Sequence, residues 1–300
     1  MREQAFKEAI QSQRLAQNPF MEAVLRTGLK EGLLSDMAGA LGQMQDQVVR
    51  AAEPGLIGRQ IIEVQPTKEA LVRFPKAKNG RAYVMAEGGQ VLSVPRTYET
   101  TDIKTDVEIK HEWDTTKRFL EDATWPAVQD LNGEAGRTIA ERETERVLTL
   151  YDGIAAADLA GGAVYNGAGA LTWAGIVGFW KRIKKENFNA TVIVINPEQL
   201  ADLWEDDKFI HSFYFGELVD VARGVLGQTY LGMKVVYSTK VTDGSVYAVD
   251  TSIAAKMLVR RDVLVEPFED PRADKYGAVA TERIGLGVLR SKGVARGTGW

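Results

Sequence analysis

The sequence predicts an α+β fold built from several parts. Three observations predict it: apolar residues recur at helical spacing through the first fifty positions, polarity alternates residue by residue from Ile103 to Trp113, and a long amphipathic stretch follows Pro126.

Phe20, Val24, Leu29, Leu33, Met37, Leu41, Met44 and Val48 lie three to five apart, mostly four, which gives a helix one apolar face. Asn18 is placed to cap it, with Pro19 at the first helical position where its missing N–H costs nothing. Such a helix suits either an ordinary core or an arm that docks on a neighbouring subunit. After Glu53-Pro54-Gly55 the pattern changes to short extended runs, Gln60–Val64, Ala70–Phe74, Arg81–Met85 and Val91–Val94, broken by Pro, Gly and Asn. From Ile103 onward, Ile103, Thr105, Val107, Ile109, His111 and Trp113 share one face of a strand. Lys104, Asp106, Glu108, Lys110 and Glu112 share the other.

Behind Pro126, the residues Val128, Leu131, Ala135, Ile139, Val147 and Tyr151 mark one stripe of a single continuous helix. Helical from Ala127 to Tyr151, it would span ~37 Å at 1.5 Å per residue, with Gly133 and Gly136 as local weak points. The Ala- and Gly-rich run 155–170 is expected to be a linker. Beyond it come a helix at Trp173–Lys185, a buried strand at Thr191–Ile195, and a helix at Pro197–Trp204 capped by Asn196. Strands follow at Met233–Tyr237 and Val246–Val249, the latter after Asp243-Gly244, a hairpin-turn signal. Further strands are expected at Lys256–Val259, Val263–Pro267, Val279–Leu289 and near Val294.

Chemistry-bearing residues are sparse. The chain has no cysteine, which removes disulfides, thiolate nucleophiles and Cys-built zinc sites. Its two histidines, His111 and His211, sit in no metal-ligating spacing, and no phosphate-binding loop or nucleophile elbow is present. The carboxylates Glu205-Asp206-Asp207 and Glu269-Asp270 are sequence neighbours that read as solvated. The basic run Lys181, Arg182, Lys184 and Lys185 reads as one charged helix face, with non-specific phosphate contact as its alternative. A formal charge of −4 gives no global attraction for nucleic acid, and neither a secretion signal nor an apolar stretch of membrane length is expected. The residues therefore point to a structural or binding role, with no enzymatic activity, no cofactor and no metal.

The second half resembles the major capsid proteins of tailed phages and viruses, the Hong Kong 97 fold shared with encapsulin shells. The resemblance rests on VIVINPEQLADLWEDDKF at Val192–Phe209, LGQTYLGMKVVYSTKV at Leu226–Val241, DGSVYAVDTSIAAKMLVRRDVLVEPFED at Asp243–Asp270 and ATERIGLGVLR at Ala280–Arg290. With the extended region and the long helix included, it spans roughly residues 57 to 296.

This resemblance implies an N-terminal helical arm at 1–57, an extended β-hairpin loop at 58–102, and a peripheral domain with spine helix at 103–154. An axial domain would follow at 155–250, and a C-terminal sheet of the peripheral domain at 251–300. It implies self-assembly into pentamers and hexamers of an icosahedral shell enclosing viral DNA, in a virion assembled in the host cytoplasm. Partners would be many copies of the chain, scaffolding and portal proteins, and double-stranded DNA held without sequence preference, with no membrane. Candidate contacts between subunits are Arg73, Lys76, Lys78 and Arg81 on the hairpin, Phe20 and Leu29 on the arm, and Lys104 and Glu108 on the alternating strand. An encapsulin-type shell enclosing cargo enzymes is the alternative, and a soluble α/β enzyme the third reading.

Overall fold

The computed structural model describes residues 35–52, 57–77, 98–116, 127–206, 229–270, 272 and 275–300. The chain divides into two compact units. The first takes Met1–Gln60, Val107–Thr149 and Arg261–Ile284, and the second takes Ile61–Asp106, Leu150–Arg260 and Gly285–Trp300. The C-terminal part of the helix expected before Glu53 is present as α1 (Ser35–Ala52), while Phe20, Leu29 and the Asn18-Pro19 cap fall outside the described residues.

In the first unit, α1 packs on α2 (Ala127–Asp152), the expected long helix. Met44, Val48 and Ala52 are fully buried at a spacing of four, so the apolar stripe does face a core. Gly136 marks the crossing, since a Cβ there would lie 2.2 Å from the Val48 carbonyl oxygen. The glycine that weakens α2 as an isolated helix is what lets the two backbones touch. Asn132 secures the same crossing by donating from Nδ2 to Gln47 Oε1 at 3.0 Å. Strand β4 (Val107–Thr116) pairs antiparallel with β11 (Lys275–Val288), from Val107 opposite Ile284 to Thr116 opposite Lys275.

The expected single strand at 103–113 is two strands. β3 (Tyr98–Lys104) pairs with β2 (Leu71–Ala77) and β4 pairs with β11, so the chain changes partner at residues 105–106. Thr105 marks the change: its N–H donates to Ala70 O at 3.0 Å and its hydroxyl to Glu69 O at 3.3 Å. The alternation itself holds, with Ile103, Thr105, Ile109 and Trp113 buried while Lys104, Asp106, Glu108, Lys110 and Glu112 are exposed.

The second unit holds a six-stranded sheet in the order β5-β12-β9-β6-β8-β7. Its strands are β5 (Tyr165–Asn166), β6 (Val192–Ile195), β7 (Thr229–Tyr230), β8 (Met233–Tyr237), β9 (Val246–Val249) and β12 (Val294–Thr298). Asp243-Gly244 does not make a hairpin of β8 and β9. The wholly apolar β6 takes the place between them, parallel to β8 and antiparallel to β9, because a Val-Ile-Val-Ile run buried on both faces belongs at the centre of a sheet. The run 155–170 is also no bare linker: Leu159 and Ala160 are fully buried and β5 adds an edge to the sheet.

Helix α3 (Trp173–Lys185) gives Ile176, Phe179 and Ile183 to this core, and α4 (Pro197–Glu205) gives Leu200 and Leu203. The Asn196 side chain caps α4 by accepting from Glu198 N at 3.1 Å. Asp202 and Asp206 accept the backbone N–H groups of Leu171 and Trp173 at 2.9 and 2.8 Å, which gives Asp206 a structural task beyond the solvated role expected of it. Tyr165, Phe179 and Trp300 form an aromatic cluster, with Tyr165 5.0 Å from Phe179 and 5.2 Å from Trp300 between centroids. Gly297 makes room for it, since a Cβ there would lie 2.3 Å from Phe179 Cζ and 2.9 Å from Trp300 Nε1. Gly297→Ala should therefore overpack the cluster and destabilise the chain by about 1–3 kcal/mol, read as a lower thermal midpoint. An unchanged midpoint would show that the rings yield.

The two extended runs expected at 256–259 and 263–267 form one strand, β10 (Ala255–Asp270), which contributes to both units, as β11 does. In the second unit, β1 (Glu63–Pro66) runs parallel to its first half, Glu63 opposite Lys256. The strand expected at Gln60–Val64 begins instead with a 3-10 turn at Gly58–Gln60.

Candidate functional site

The base of the expected extended loop is a two-stranded hairpin, β2 against β3, in register from Leu71 opposite Lys104 to Ala77 opposite Tyr98. Two strands alone are marginal in water, and this pair is held at its root by buried Ile103 and by Thr105. Farther out, Arg73 faces Asp102 across the strands and grips it with two hydrogen bonds, Nε to Oδ1 at 2.9 Å and Nη2 to Oδ2 at 3.2 Å. The Asp102 carboxylate raises the Arg73 pKa through those bonds. Lys104 is exposed opposite Leu71, and Tyr98 is 62% exposed, so the outer hairpin presents both charge and an uncovered ring. Lys78 and Arg81, along with the runs at 81–85 and 91–94, lie outside the described residues.

Lys76 sits half-buried at the rim of a groove of about 240 Å³ between the hairpin base and the turns beside β10 and β11. Phe74, Pro75, Ile253 and Leu289 give it an apolar floor, and Lys76, Lys256 and Arg290 give it positive charge. Lys256 is engaged already, 2.9 Å from Glu63 Oε1 and 5.4 Å from the centre of the Phe74 ring. Lys76 and Arg290 have no ion-pair partner among the described residues.

In the first unit, Glu108 accepts from Arg261 at 2.6 Å and lies 3.3 Å from Lys110, and those hydrogen bonds hold its carboxyl below the usual range. His111 stacks on Trp113, ring centres 6.0 Å apart, as a packed histidine should. In the second unit, Arg182 of the basic run lies over the Tyr165 ring at 4.4 Å and donates to Ala163 O, which engages it within the chain.

A charged cluster that the composition does not disclose lies within the first unit. Arg59 donates to Glu143 through Nε at 3.0 Å, and through Nη2 to Glu282 at 2.7 Å and Asp262 at 2.9 Å. The Glu143 and Glu282 side chains are wholly buried, while Asp262 stands at the solvent edge. Desolvation, followed by the nearby Glu143 carboxylate, pushes Glu282 up to about 8, so at neutral pH it keeps its proton. Its Oε2 has no hydrogen-bond partner among the described residues. With the proton, it becomes a donor beside Glu143. Burial works to lower the Arg59 pKa, but the hydrogen bond to Asp262 and the charges of the three carboxylates outweigh it and raise it.

A sequence signal for this cluster exists. Glu143 stands at the vacant place in the stripe Leu131, Ala135, Ile139, Val147, Tyr151, and Glu282 shares the inward register of Ala280 and Ile284. A charged residue at an apolar position is the mark of a buried ion pair.

The family model described as the Phage capsid family matches residues 41–299. Among solved structures, that titled Mycobacterium phage Che8 matches with a TM-score of 0.61 at 17% identity, covering 77% of this chain and 85% of that one. The capsid of the cyanophage P-SCSP1u matches with a TM-score of 0.63 at 14% identity, covering 80% and 86%. A virus-like particle from Pyrococcus furiosus matches with a TM-score of 0.54 at 13% identity, covering 85% and 98%. No curated protein sequence matches the chain.

Proposed function

This chain belongs to the phage capsid family, and from that membership we propose how it builds a shell. It is a structural major capsid protein, with the α+β architecture of the Hong Kong 97 type. Many copies assemble into the shell of a virion. The reading is carried by the family match across residues 41–299, and the uncovered hairpin base supports it physically. Bare strands and an exposed ring on an element with little core of its own are what a neighbouring subunit would cover.

The finer assignments extend this reading. The shell encloses double-stranded DNA through non-specific contacts, and assembly in the host cytoplasm draws on scaffolding and portal proteins. The hairpin at 58–102 reaches over an adjacent subunit, with Arg73, Lys76, Lys78 and Arg81 among its contacts. The arm at 1–57, with Phe20 and Leu29, and the exposed Lys104 and Glu108 supply others. The axial domain comprises about 155–250, its sheet completed by β12, and 103–154 with the rest of 251–300 make the peripheral domain. The chain acts through these contacts and not through catalysis.

Negative-stain electron microscopy with light scattering, on the chain alone and with its scaffolding partner, tests this reading. Closed shells or capsomer rings are expected. A discrete monomer or dimer under every condition would overturn it. Lys76→Glu with Lys78→Glu should leave the subunit folded yet impair shells, and normal particles from that variant would exclude a contact role for the two lysines.

A further inference from the structure

We propose that the cationic groove at the hairpin base binds the acidic strand end Glu266–Asp270 of a second copy of this chain. The proposal rests on the assembly reading and names a contact that reading leaves open. The groove combines an apolar floor with two cations, Lys76 and Arg290, that have no ion-pair partner among the described residues, although Glu99 stands opposite Lys76 across the strands. Its occupant must therefore be both acidic and apolar.

The need for carboxylates and apolar groups side by side narrows the choice. Several carboxylates are engaged within the chain, Asp102 on Arg73, Glu108 on Arg261, Asp114 on Lys275 and Glu186 on Lys292, and others, among them Asp46, Glu69, Asp130 and Glu134, are exposed without an ion pair among the described residues but have no aromatic ring beside them in the sequence. Glu266 and Glu269 are exposed on the outer part of β10 and have no ion-pair partner among the described residues. Among the described residues, Asp270 beside them accepts only the Arg272 backbone N–H, at 3.0 Å, and its charge acts on Lys275 nearby. Pro267 and Phe268 between them are half-buried and leave apolar surface uncovered. The sequence Glu-Pro-Phe-Glu-Asp thus carries the complement of the groove: carboxylates for Lys76 and Arg290, and a proline and a ring for Phe74, Pro75, Ile253 and Leu289. Groove and strand end are different patches of one chain, so the contact is heterologous and propagates from copy to copy until the ring closes.

The absence of cysteine makes the test direct. Full-length chain carrying Arg290→Cys and Glu269→Cys is assembled with its scaffolding partner, treated with a short bis-maleimide and run on a denaturing gel. A ladder of covalent oligomers from the double variant, with neither single variant giving more than background, is expected. Particles that assemble but give no ladder overturn the contact. If wild-type chain makes no particles, it is the assembly reading that fails. Charge exchange covers a double-cysteine chain that does not assemble: Lys76→Glu with Arg290→Glu should abolish particles, as should Glu266→Lys with Glu269→Lys. All four together should restore them. Failure of the combined variant to recover, with each subunit folded by circular dichroism, overturns the pairing.

Discussion

Arg59→Met will cost the unassembled subunit about 3–5 kcal/mol, the penalty for leaving buried charge without its partner. Glu143 and Glu282 have fully buried side chains, and Arg59 is the cation both of them meet. Methionine keeps most of the volume while removing the charge and its hydrogen bonds, so packing loss is a small part of the effect. Against a domain stability of about 5–15 kcal/mol, this is about a fifth of the total or more. Urea unfolding should show a lower midpoint at unchanged slope, since the surface exposed on unfolding is the same. Adding Glu143→Gln to Arg59→Met should recover much of the loss, because Glu282 holds its proton at neutral pH and the cost lies in the one stranded carboxylate. A midpoint within error of wild type for Arg59→Met alone would mean that water reaches the cluster.

The second large effect is a pH dependence. In the folded chain Glu282 holds its proton up to about 8, whereas unfolded it titrates near the ordinary glutamate value of ~4.3. Between those values the folded state binds the extra proton, so stability falls as pH rises. The contribution is complete below the unfolded value and lost as pH passes the folded one. A tenfold change in proton affinity is worth about 1.4 kcal/mol, which makes the whole contribution a few kcal/mol in order of magnitude. Asp262 runs the other way: burial would raise it, but its hydrogen bond to Arg59 holds it low, so its contribution is lost in acid. Glu282→Gln should remove the decline from about pH 5 to 9 while leaving the acid limb in place. Parallel profiles for wild type and variant would show that Glu282 is not the titrating group.

Local periodicity made most elements legible in the sequence. Trp173–Lys185, Met233–Tyr237 and Val246–Val249 form where their apolar patterns place them, because each pattern matches one face of one local core. The errors arise where pairing partners matter. Nothing local in Ile103–Trp113 tells that β2 claims one end and β11 the other, and Asp243-Gly244 gives a turn whose flanking strands both prefer β6. Of the proposed assembly surface, the charges at Arg73 and Lys76 are visible in the sequence. The groove is not, since Lys256 and Arg290 reach it from positions about 180 and 210 residues away. The Arg59 cluster could have been found by reading the charged residue in an apolar stripe as a signal in its own right.

The buried carboxylate on α2 also acts as a key that indexes the helix. A slip of one helical turn along its axis, ~5.4 Å, would bring Ile139 or Val147 to the Arg59 guanidinium and strand Glu143 in an apolar environment. Sliding is thereby closed to this helix as a mode of motion within its unit, and bending is left. A subunit that must adopt several curvatures in one closed surface would then adjust by flexing a helix of fixed registration, with Arg59 as its fulcrum.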